Sequence, residues 1–438
     1  MSAIAIVSVL ALFFLVSCTA NSQSKTAYAQ NDVGAVPEIS ALPDSANLRE
    51  PDGGSQYYSE FSSGLPEESG YFPLGVWLES VVDPIDVEKD VDVGLNTYID
   101  LTENSDPSLL AGSNIRYMTS WDAPGRYGAV LADEVDMWGG PGSAKWTGRW
   151  PGQGEICSPA KAKCGYTVQN ELMGAVPSGM LRYANYGKGA TFWETDAEAT
   201  RFVSEFQDIV SADNYWFTDP HICVESQGGL ILDSPRQLKE SECRRPSNYG
   251  WTVDRVRNLV EPAESIPVWS FVEVGHPFTE PGAPTITGPQ IRAAVWSSII
   301  HGARGIVYFN HNLSGECPTQ HALRDCGVEL RDHVRSLNRQ VTELAPVLNS
   351  VFLDGILETS GEIDASVKVY DGDIYVLAGV SGGQRTRATF DLECVADGRA
   401  EVVFEGRDIA VEDGILMDNF SDSNSVHIYK IPGNLCGL

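Results

Sequence analysis

Two glutamates at the ends of apolar runs are the residues of this sequence best suited to acid–base or nucleophilic chemistry. Glu134 ends the run YGAVLADE at 127–134, and Glu273 lies in the run PVWSFVEV at 267–274. An ionisable group beside buried apolar residues is costly unless it is paired or functional. Two carboxyl groups about 5 Å apart can hydrolyse a glycosidic bond with retention, because one protonates the leaving oxygen and the other attacks the anomeric carbon.

Eight apolar runs rich in β-branched and aromatic residues predict the buried parallel strands that would position these carboxyl groups. The runs are 71–79, 94–101, 114–121, 127–134, 180–186, 208–217, 267–274 and 304–311. Helical patterns lie at 196–207, 251–261, 288–301 and 328–346. The alternation predicts an α/β fold, a (β/α)8 TIM barrel over 69–350, although little room is left for a helix between strands three and four. Active sites of such barrels lie at the C-terminal strand ends, which places Glu134 after strand four and Glu273 after strand seven.

Other side chains at these strand ends are candidates for binding sugar hydroxyls and ring faces. Carboxylates accept hydrogen bonds from hydroxyls, and aromatic rings stack on the C–H faces of pyranoses. The candidates are Asp100, Asp133, Trp77, Tyr98, Trp121, Trp138, Tyr186, Tyr215, His276 and His311. Trp138, Trp146 and Trp150 share the loop after strand four and predict one wall of a glycan cleft, with ordinary packing of that loop as the alternative.

The chain resembles the retaining glycosidases of the (β/α)8 superfamily, in which the acid/base follows strand four and the nucleophile follows strand seven. The resemblance implies Glu134 as acid/base and Glu273 as nucleophile. Segments across 71–350, above all QIRAAVWSSIIHGARGIVYFNHN at 290–312, are similar to a poorly characterised group of bacterial glycosidases. Many superfamily members carry Asn where this chain has Asp133, and an ionised Asp133 could only accept hydrogen bonds. The resemblance implies a hydrolase fold and not a substrate.

The first 18 residues predict export. Residues 1–17 are an uncharged apolar run whose length suits a signal peptide better than a spanning helix. LVSC at 15–18 is similar to a bacterial lipobox, so Cys18 is the predicted lipidation site and the envelope or cell surface the predicted location. No Lys or Arg precedes the run, and secretion without an anchor is the alternative. Residues 19–68, rich in small, polar and acidic residues, predict a flexible linker.

The remaining cysteines predict a disulfide framework, because an even number in an exported chain favours pairing. Eight cysteines follow Cys18 and fall into four sequence-local pairs, Cys157 with Cys164, Cys223 with Cys243, Cys317 with Cys326 and Cys394 with Cys436. Sequence alone does not fix this pairing. No C-x-x-C or C-x-x-x-C spacing occurs, so no zinc site is expected.

The last part of the chain predicts a second domain. Residues 351–438 hold short alternating runs, such as ASVKVYDGDIYVLAGV and SVHIYKI, broken by Gly, Asp and Asn. Alternation of this kind is typical of half-buried antiparallel strands. We therefore predict a small C-terminal β-sandwich.

Charge and absent motifs exclude several classes of function. The chain carries 30 Lys and Arg against 60 Asp and Glu, a net charge of −30, which argues against nucleic-acid binding. It has no G-x-S-x-G elbow, Walker loop or H-E-x-x-H, and no metal or organic cofactor is expected. The predicted function is an exported, membrane-anchored retaining glycoside hydrolase acting on a neutral or weakly charged polysaccharide. A non-catalytic carbohydrate-binding protein on a degenerate barrel and a transglycosylase acting on envelope glycans are the alternatives.

Overall fold

The structure, a computed structural model, describes residues 43–143 and 164–433. The predicted signal peptide with Cys18, the tryptophans at 146 and 150, and Cys157 and Cys436 therefore lie outside the described residues. Among the residues that are described, no helix combines the length and the apolar composition needed to cross a membrane.

A short strand, β1 (Asn47–Arg49), precedes a closed barrel of eight parallel strands. The barrel strands are β2 (Leu74–Trp77), β3 (Thr97–Ile99), β4 (Arg116–Thr119), β5 (Gly128–Val130), β6 (Leu181–Tyr186), β7 (Ile209–Ala212), β8 (Val268–Glu273) and β9 (Ile306–Phe309). Each one lies within one of the eight predicted runs. The predicted TIM barrel is therefore confirmed, with β5 as its fourth strand and β8 as its seventh.

Helices surround the barrel. They are α1 (Pro84–Val93), α2 (Val135–Trp138), α3 (Gly165–Ala175), α4 (Asp196–Glu205), α5 (Glu240–Cys243), α6 (Ser247–Leu259), α7 (Gly288–Ile300), α8 (Ala322–Asp325) and α9 (Val328–Leu348). The four predicted helical segments correspond to α4, α6, α7 and α9. Residues 120–127, between β4 and β5, carry no helix, in agreement with the short spacing of the third and fourth strands.

Aromatic and aliphatic side chains fill the barrel interior. Trp77, Tyr183, Trp269 and Phe271 pack there in one buried cluster with residues of the other strands. Tyr58, which precedes the barrel, belongs to the same cluster and accepts a 3.2 Å hydrogen bond from Trp269 Nε1. The barrel is thus a packed core, and only its C-terminal end, called the mouth below, can hold a site.

The described part of the predicted linker is not an extended tether. β1 pairs antiparallel with a strand at Phe352–Asp354, and Asp52 forms an ion pair with Arg257, Nε to Oδ2 2.5 Å. The buried residues of this segment, such as Tyr58, follow no helix or strand period, so composition alone indicated a linker. For residues 43–68 that prediction is wrong.

The C-terminal part forms an antiparallel β-domain, as predicted. Its strands are β10 (Phe352–Asp354), β11 (Leu357–Ser360), β12 (Ile363–Tyr370), β13 (Asp373–Val380), β14 (Thr386–Leu392), β15 (Gly398–Val402), β16 (Arg407–Glu412), β17 (Ile415–Phe420) and β18 (Val426–Ile431). With β1 they make one ten-stranded sheet, in the order β1-β10-β12-β13-β18-β15-β16-β17-β14-β11. Tyr375, Leu377, Val426 and Ile428 join the apolar cluster of α7 and α9, so the domain packs directly on the barrel helices.

Two of the four predicted disulfides lie entirely within the described residues. Cys223 is bonded to Cys243, and Cys317 is bonded to Cys326. Both bridges join segments beyond the ends of barrel strands. They confirm the sequence-local pairing for these four cysteines.

The other two predicted disulfides can be followed on one side only. Cys164 and Cys394 are each disulfide-bonded, but their predicted partners, Cys157 and Cys436, lie outside the described residues. Cys164 is fully buried directly before α3, and Cys394 packs against the apolar core of the β-domain just after β14. The bonded state of Cys164 and Cys394 agrees with a framework of paired cysteines. The pairing of Cys164 with Cys157 and of Cys394 with Cys436 stays a prediction.

Candidate active site

Glu134 stands at the carboxyl end of the fourth barrel strand, where the chain turns into a short helix. β5 ends at Val130, and α2 begins directly after Glu134. The Glu134 backbone is left-handed, with a φ of 46°. This conformation costs free energy for a residue with a side chain and is often found at functional sites. The Glu134 amide donates a 3.0 Å hydrogen bond to the Asn185 carbonyl, which fixes the turn against β6.

The Glu134 carboxyl is partly buried among charged groups of neighbouring loops. Burial raises the pKa of Glu134 to about 7, and the charge of Asp136 adds to this increase. The Lys188 ammonium and a hydrogen bond with the Asp213 carboxyl act in the opposite direction. Near neutral pH a substantial fraction of Glu134 is therefore protonated, which is the state that a general acid needs.

Asp136 connects the loops that follow the fourth and fifth barrel strands. Its carboxylate is fully buried and accepts hydrogen bonds from the amides of Gly187, at 3.0 and 3.1 Å, and Ala190, at 2.8 Å. Ala190 lies in the π-helical turn Gly189–Trp193, and Gly187 precedes this turn by two residues. Burial raises the pKa of Asp136 to about 6 against the effect of these amides. Asp136 thus positions the backbone at residues 187–190, beside Glu134.

Asp133 and Trp138 lie on the open side of Glu134. Asp133 is exposed, and its Oδ1 accepts a 3.0 Å hydrogen bond from Asn185 Nδ2. Burial and the Glu134 charge raise the pKa of Asp133 to about 7, although solvent contact screens part of this effect. Trp138 donates a 2.8 Å hydrogen bond from Nε1 to the Asp133 carbonyl, and its ring is 47% exposed. The structure therefore brings both predicted substrate-binding residues to the mouth beside Glu134.

Asp213 and Tyr215, which follow the sixth barrel strand, complete this group. Asp213 is the first residue after β7, and its Oδ2 accepts a 3.1 Å hydrogen bond from the Tyr215 hydroxyl. Burial and the charges of the three carboxyls after β5 hold the pKa of Asp213 well above its ordinary value. Tyr215 was among the predicted residues, whereas Asp213 was missed. A carboxylate at the end of a strand could have indicated Asp213. The run 208–217 was predicted as a single strand, however, which placed Asp213 inside it.

Glu273 ends the seventh barrel strand, and protein groups surround its carboxylate completely. Oε1 accepts hydrogen bonds from the amides of Phe217 and Thr218, both at 3.1 Å, and from the Thr218 hydroxyl at 3.0 Å. Oε2 accepts a 2.7 Å hydrogen bond from the Tyr249 hydroxyl. The side chain is 0% exposed, and burial raises its pKa against the effect of these hydrogen bonds. Four donors thus fix the orientation of Glu273.

Three other predicted residues lie at the mouth. The Asp100 carboxylate accepts a 2.7 Å hydrogen bond from the Ser120 amide, and its charge contributes to the raised pKa of Asp133. His276 is partly buried after β8. His311 is buried, its Nε2 lies 3.3 Å from the Leu78 carbonyl oxygen, and burial lowers its pKa.

Tyr98 and Tyr186 do not reach the mouth, and here the structure corrects the prediction. Both rings are fully buried. The Tyr98 hydroxyl donates to Asp90 Oδ2 on α1 at 2.7 Å, and the Tyr186 hydroxyl donates to Gln207 Oε1 at 2.8 Å. Both side chains therefore point into the helix layer and are not available to a substrate.

Two of the predicted tryptophans, Trp77 and Trp121, are held by contacts within the protein. Trp77 is 5% exposed and packs in the barrel interior against Phe271. Trp121 is partly buried, and its Nε1 donates a 2.7 Å hydrogen bond to the Leu101 carbonyl. Both side chains are therefore less exposed than that of Trp138.

Another buried carboxylate that the sequence did not indicate, Glu79, joins the first and eighth barrel strands. Glu79, just after β2, is 0% exposed and accepts hydrogen bonds from the Ser80 amide at 2.9 Å and Asn310 Nδ2 at 2.8 Å. It also contacts His321 and forms an ion pair with Arg324, Nη1 to Oε1 3.3 Å. In the parts of the chain that are described, no group of three or more His, Cys, Asp or Glu side chains could hold a metal ion.

In fold, the protein belongs to the class of (β/α)8 barrels that carry an antiparallel β-domain after the barrel. It is similar to a solved structure described as a glycoside hydrolase, with 11% identity, coverage of 84% of this chain and 94% of that one, and a TM-score of 0.50. A glycoside hydrolase family 5 protein from Bacteroides vulgatus is 12% identical over 84% of this chain and 91% of its own, with a TM-score of 0.47. A maltogenic alpha-amylase from Thermotoga neapolitana is 8% identical over 83% and 99%, with a TM-score of 0.46. At 11% identity the likeness to the first of these structures shows the fold alone. No family model matches the chain, and no curated protein matches it.

Proposed function

We propose that the protein is a glycoside hydrolase in which Glu134 donates the proton to the leaving oxygen. The observation that carries the proposal is the state of Glu134, a partly buried carboxyl at the mouth whose pKa is raised to about 7. A carboxyl that keeps its proton near neutral pH can act as general acid, and after transfer its carboxylate can activate water. The exposed neighbours Asp133 and Trp138 offer a sugar a hydrogen-bond acceptor and an aromatic face.

The second carboxylate of the proposal is Glu273, which would attack the anomeric carbon so that cleavage proceeds with retention. Its place at the end of the seventh barrel strand and its four hydrogen-bond donors support this role, because a nucleophile must be held in one orientation. Hydrogen bonds from these donors also favour its ionised form. The proposed substrate is a neutral or weakly charged polysaccharide, since the mouth is rich in carboxyl groups.

Export and lipid anchoring at Cys18 are part of the same proposal. The apolar run 1–17, the LVSC segment at 15–18 and the observed Cys223–Cys243 and Cys317–Cys326 bridges support it. Disulfides persist in oxidising environments and are rare in the cytosol. Such a location would give the protein access to extracellular or envelope glycans.

The complete burial of Glu273 favours a second candidate, carbohydrate binding without cleavage. In this second candidate the Glu273 carboxylate, which is 0% exposed and accepts four hydrogen bonds, holds the loop at 217–218 and takes no part in chemistry. In that case Asp133 and Trp138 would bind glycan, and no glycosidic bond would break.

A panel of neutral and amino-sugar polysaccharides, assayed by release of reducing ends, tests the proposal. We expect turnover of one glycan class, and Glu134→Gln should reduce kcat by about 10²–10⁴-fold because the general acid is lost. Glu194→Gln is the matched control, since Glu194 is also a buried carboxyl, 6% exposed, but follows the π-helical turn Gly189–Trp193 and does not end a barrel strand. Glycan binding without turnover, unchanged in Glu134→Gln, would establish the binding protein instead.

A further inference from the structure

We propose that Asp213 is a positioning residue for Glu134: its protonated carboxyl donates a hydrogen bond that stabilises the Glu134 carboxylate formed when the acid gives up its proton. This inference rests on the proposed function and adds to it Asp213, the residue that follows the sixth barrel strand.

The backbone fixes Asp213 beside Glu134. Asp213 is the first residue after β7, and its amide donates a 3.1 Å hydrogen bond to the carbonyl of Tyr186, the last residue of β6. The Glu134 amide bonds to the carbonyl of Asn185 on the same strand. Both acidic residues are therefore held by consecutive residues of β6, which sets the contact between their carboxyl groups.

The two carboxyl groups need a proton between them. Asp213 Oδ2 accepts the Tyr215 hydroxyl at 3.1 Å, whereas Oδ1 is shielded from solvent and has no donor as a partner. The neighbouring Glu134 carboxyl forms a side-chain hydrogen bond with Asp213. Because ionised carboxylates are acceptors only, a proton on one of the two groups is required for this contact.

The surrounding charges place that proton on Asp213. Asp213 faces the acidic groups Asp133, Glu134 and Asp136, and burial together with their charges holds its pKa well above its ordinary value. Glu134, in contrast, is influenced by the Lys188 ammonium, whose Nζ lies 2.5 Å from Asp219 Oδ2. The ionised form is therefore better supported at Glu134 than at Asp213.

The hydrogen bond would act during proton transfer. As the glycosidic C–O bond breaks, the proton on Glu134 moves to the leaving oxygen, and Glu134 becomes a carboxylate. Asp213 keeps its own proton throughout and donates it in a hydrogen bond, which is stronger to a carboxylate than to a neutral acid. When water later attacks, one of its protons returns to Glu134, and the pair is restored.

Replacement of Asp213 by Ala and by Asn tests this role. Asn can still donate a hydrogen bond to Glu134 and so mimics the protonated acid, whereas Ala cannot. We expect Asp213→Ala to reduce kcat by about 10–100-fold, the loss of a hydrogen bond to a charged group, and to move the alkaline limb of kcat/KM up by about one pH unit. Asp213→Asn should keep the limb within a few tenths of a unit. Glu194→Ala, which removes another buried carboxyl, should leave the limb in place.

A titration that needs no substrate separates this inference from the proposed function. Protein labelled with ¹³C at the Glu side-chain carboxyls reports the protonation of Glu134 directly, and the signal that disappears in Glu134→Gln assigns it. An upward shift of the Glu134 titration in Asp213→Ala, without one in Asp213→Asn, supports the hydrogen-bonded pair even if no glycan is cleaved. If the titration behaves in this way and no glycan is cleaved, only the glycosidase proposal is overturned.

The inference is overturned if Asp213→Asn lowers the Glu134 titration toward the ordinary range of a glutamate. This result would show that Asp213 carries a negative charge in the native protein and acts by repulsion. An unchanged titration in both variants would equally overturn it. If Asp213→Ala does not fold, Asp213→Asn alone still decides, because the protonated and ionised forms of Asp213 predict different outcomes for it.

Discussion

Tyr249, on α6, donates a 2.7 Å hydrogen bond to Oε2 of Glu273 at the end of β8. The hydroxyl is fully buried, and the Glu273 charge raises the pKa of Tyr249 further above the level set by its burial. The donor therefore stays protonated and holds Oε2, whereas the Phe217 and Thr218 amides hold Oε1. This saturation fits both an oriented nucleophile and a structural carboxylate, and the two roles predict different behaviour on substitution.

Removal of the Glu273 carboxylate should abolish hydrolysis in a way that an external nucleophile can reverse. We expect Glu273→Ala to lower kcat by about 10³-fold or more, because no covalent intermediate can form. Azide should restore turnover and give a glycosyl azide, since a small anion can occupy the space of the lost carboxylate. The measurement is the rate and the stereochemistry of the product with and without azide.

Tyr249→Phe is the matched control for this prediction, because it removes one of the four hydrogen bonds and leaves the carboxylate in place. It should cost about 1–3 kcal/mol of unfolding free energy and keep most of the activity. A Glu273→Ala protein that loses stability but is not rescued by azide would assign Glu273 to the fold and leave the nucleophile to be found elsewhere.

Position along the strands could be predicted from the sequence, whereas side-chain direction at their ends could not. Glu134 was found because a carboxylate at the end of a buried apolar run is costly without a function. Tyr98 and Tyr186 were selected by the same strand-end position and yet point into the helix layer. β3 has only three residues, too few to show an alternation, and five of the six residues of β6 are buried, so neither strand separates inward from outward positions.

Asp213 was missed for a related reason. The apolar run continues through Tyr215 and Trp216, so nothing in the composition of the sequence indicated that β7 ends at Ala212. The contact between Asp213 and Glu134 depends on the register of β5, β6 and β7, which is a property of the closed barrel. Such contacts between distant segments cannot be predicted from a single sequence.

Gly187 should be required for the position of Glu134. A Cβ atom at residue 187 would lie 3.0 Å from Glu134 Oε1 and 2.3 Å from Met137 Sδ. Met137 can move because its sulfur is the flexible part of the side chain, but Glu134 is held by its hydrogen bond with Asp213. We expect Gly187→Ala to lower kcat about 10-fold or more through displacement of the acid, with a loss of unfolding free energy below about 2 kcal/mol.

Gly174→Ala provides the comparison. Gly174 lies on α3, and a Cβ atom added there would meet nothing within 4 Å. This variant should keep full activity and gain up to about 1 kcal/mol of stability, the difference in helix propensity between Gly and Ala. Steady-state kinetics and chemical denaturation of both variants check the pair of predictions. Equal activity in the two variants would contradict the close approach of Gly187 to Glu134.

The contact between barrel and β-domain should weaken at alkaline pH through His301. Its Nδ1 lies 2.6 Å from Asp254 Oδ2 on α6, and its Nε2 lies 3.3 Å from Asp364 Oδ2 on β12. Burial lowers the pKa of His301, but the hydrogen bonds and charges of these two aspartates outweigh it and raise the pKa to about 9. Because the native pKa is above the unfolded value of about 6.5, the ion pairs contribute fully below pH 6.5 and are lost as the pH rises through 9.

The free energy of unfolding, measured by chemical denaturation from pH 6 to 10 with the disulfides intact, tests this dependence. We expect the free energy of unfolding of the wild type to exceed that of His301→Gln by about 2 kcal/mol more at pH 6 than at pH 10. This value allows for partial solvent screening. His333→Gln is the control for the loss of a histidine, because His333 is an exposed residue of α9. A constant gap between wild type and His301→Gln across this range would show that His301 is not charged in the native state. The contact between the two domains would then depend on apolar packing of α7 and α9 against the sheet, with no contribution from the two aspartates.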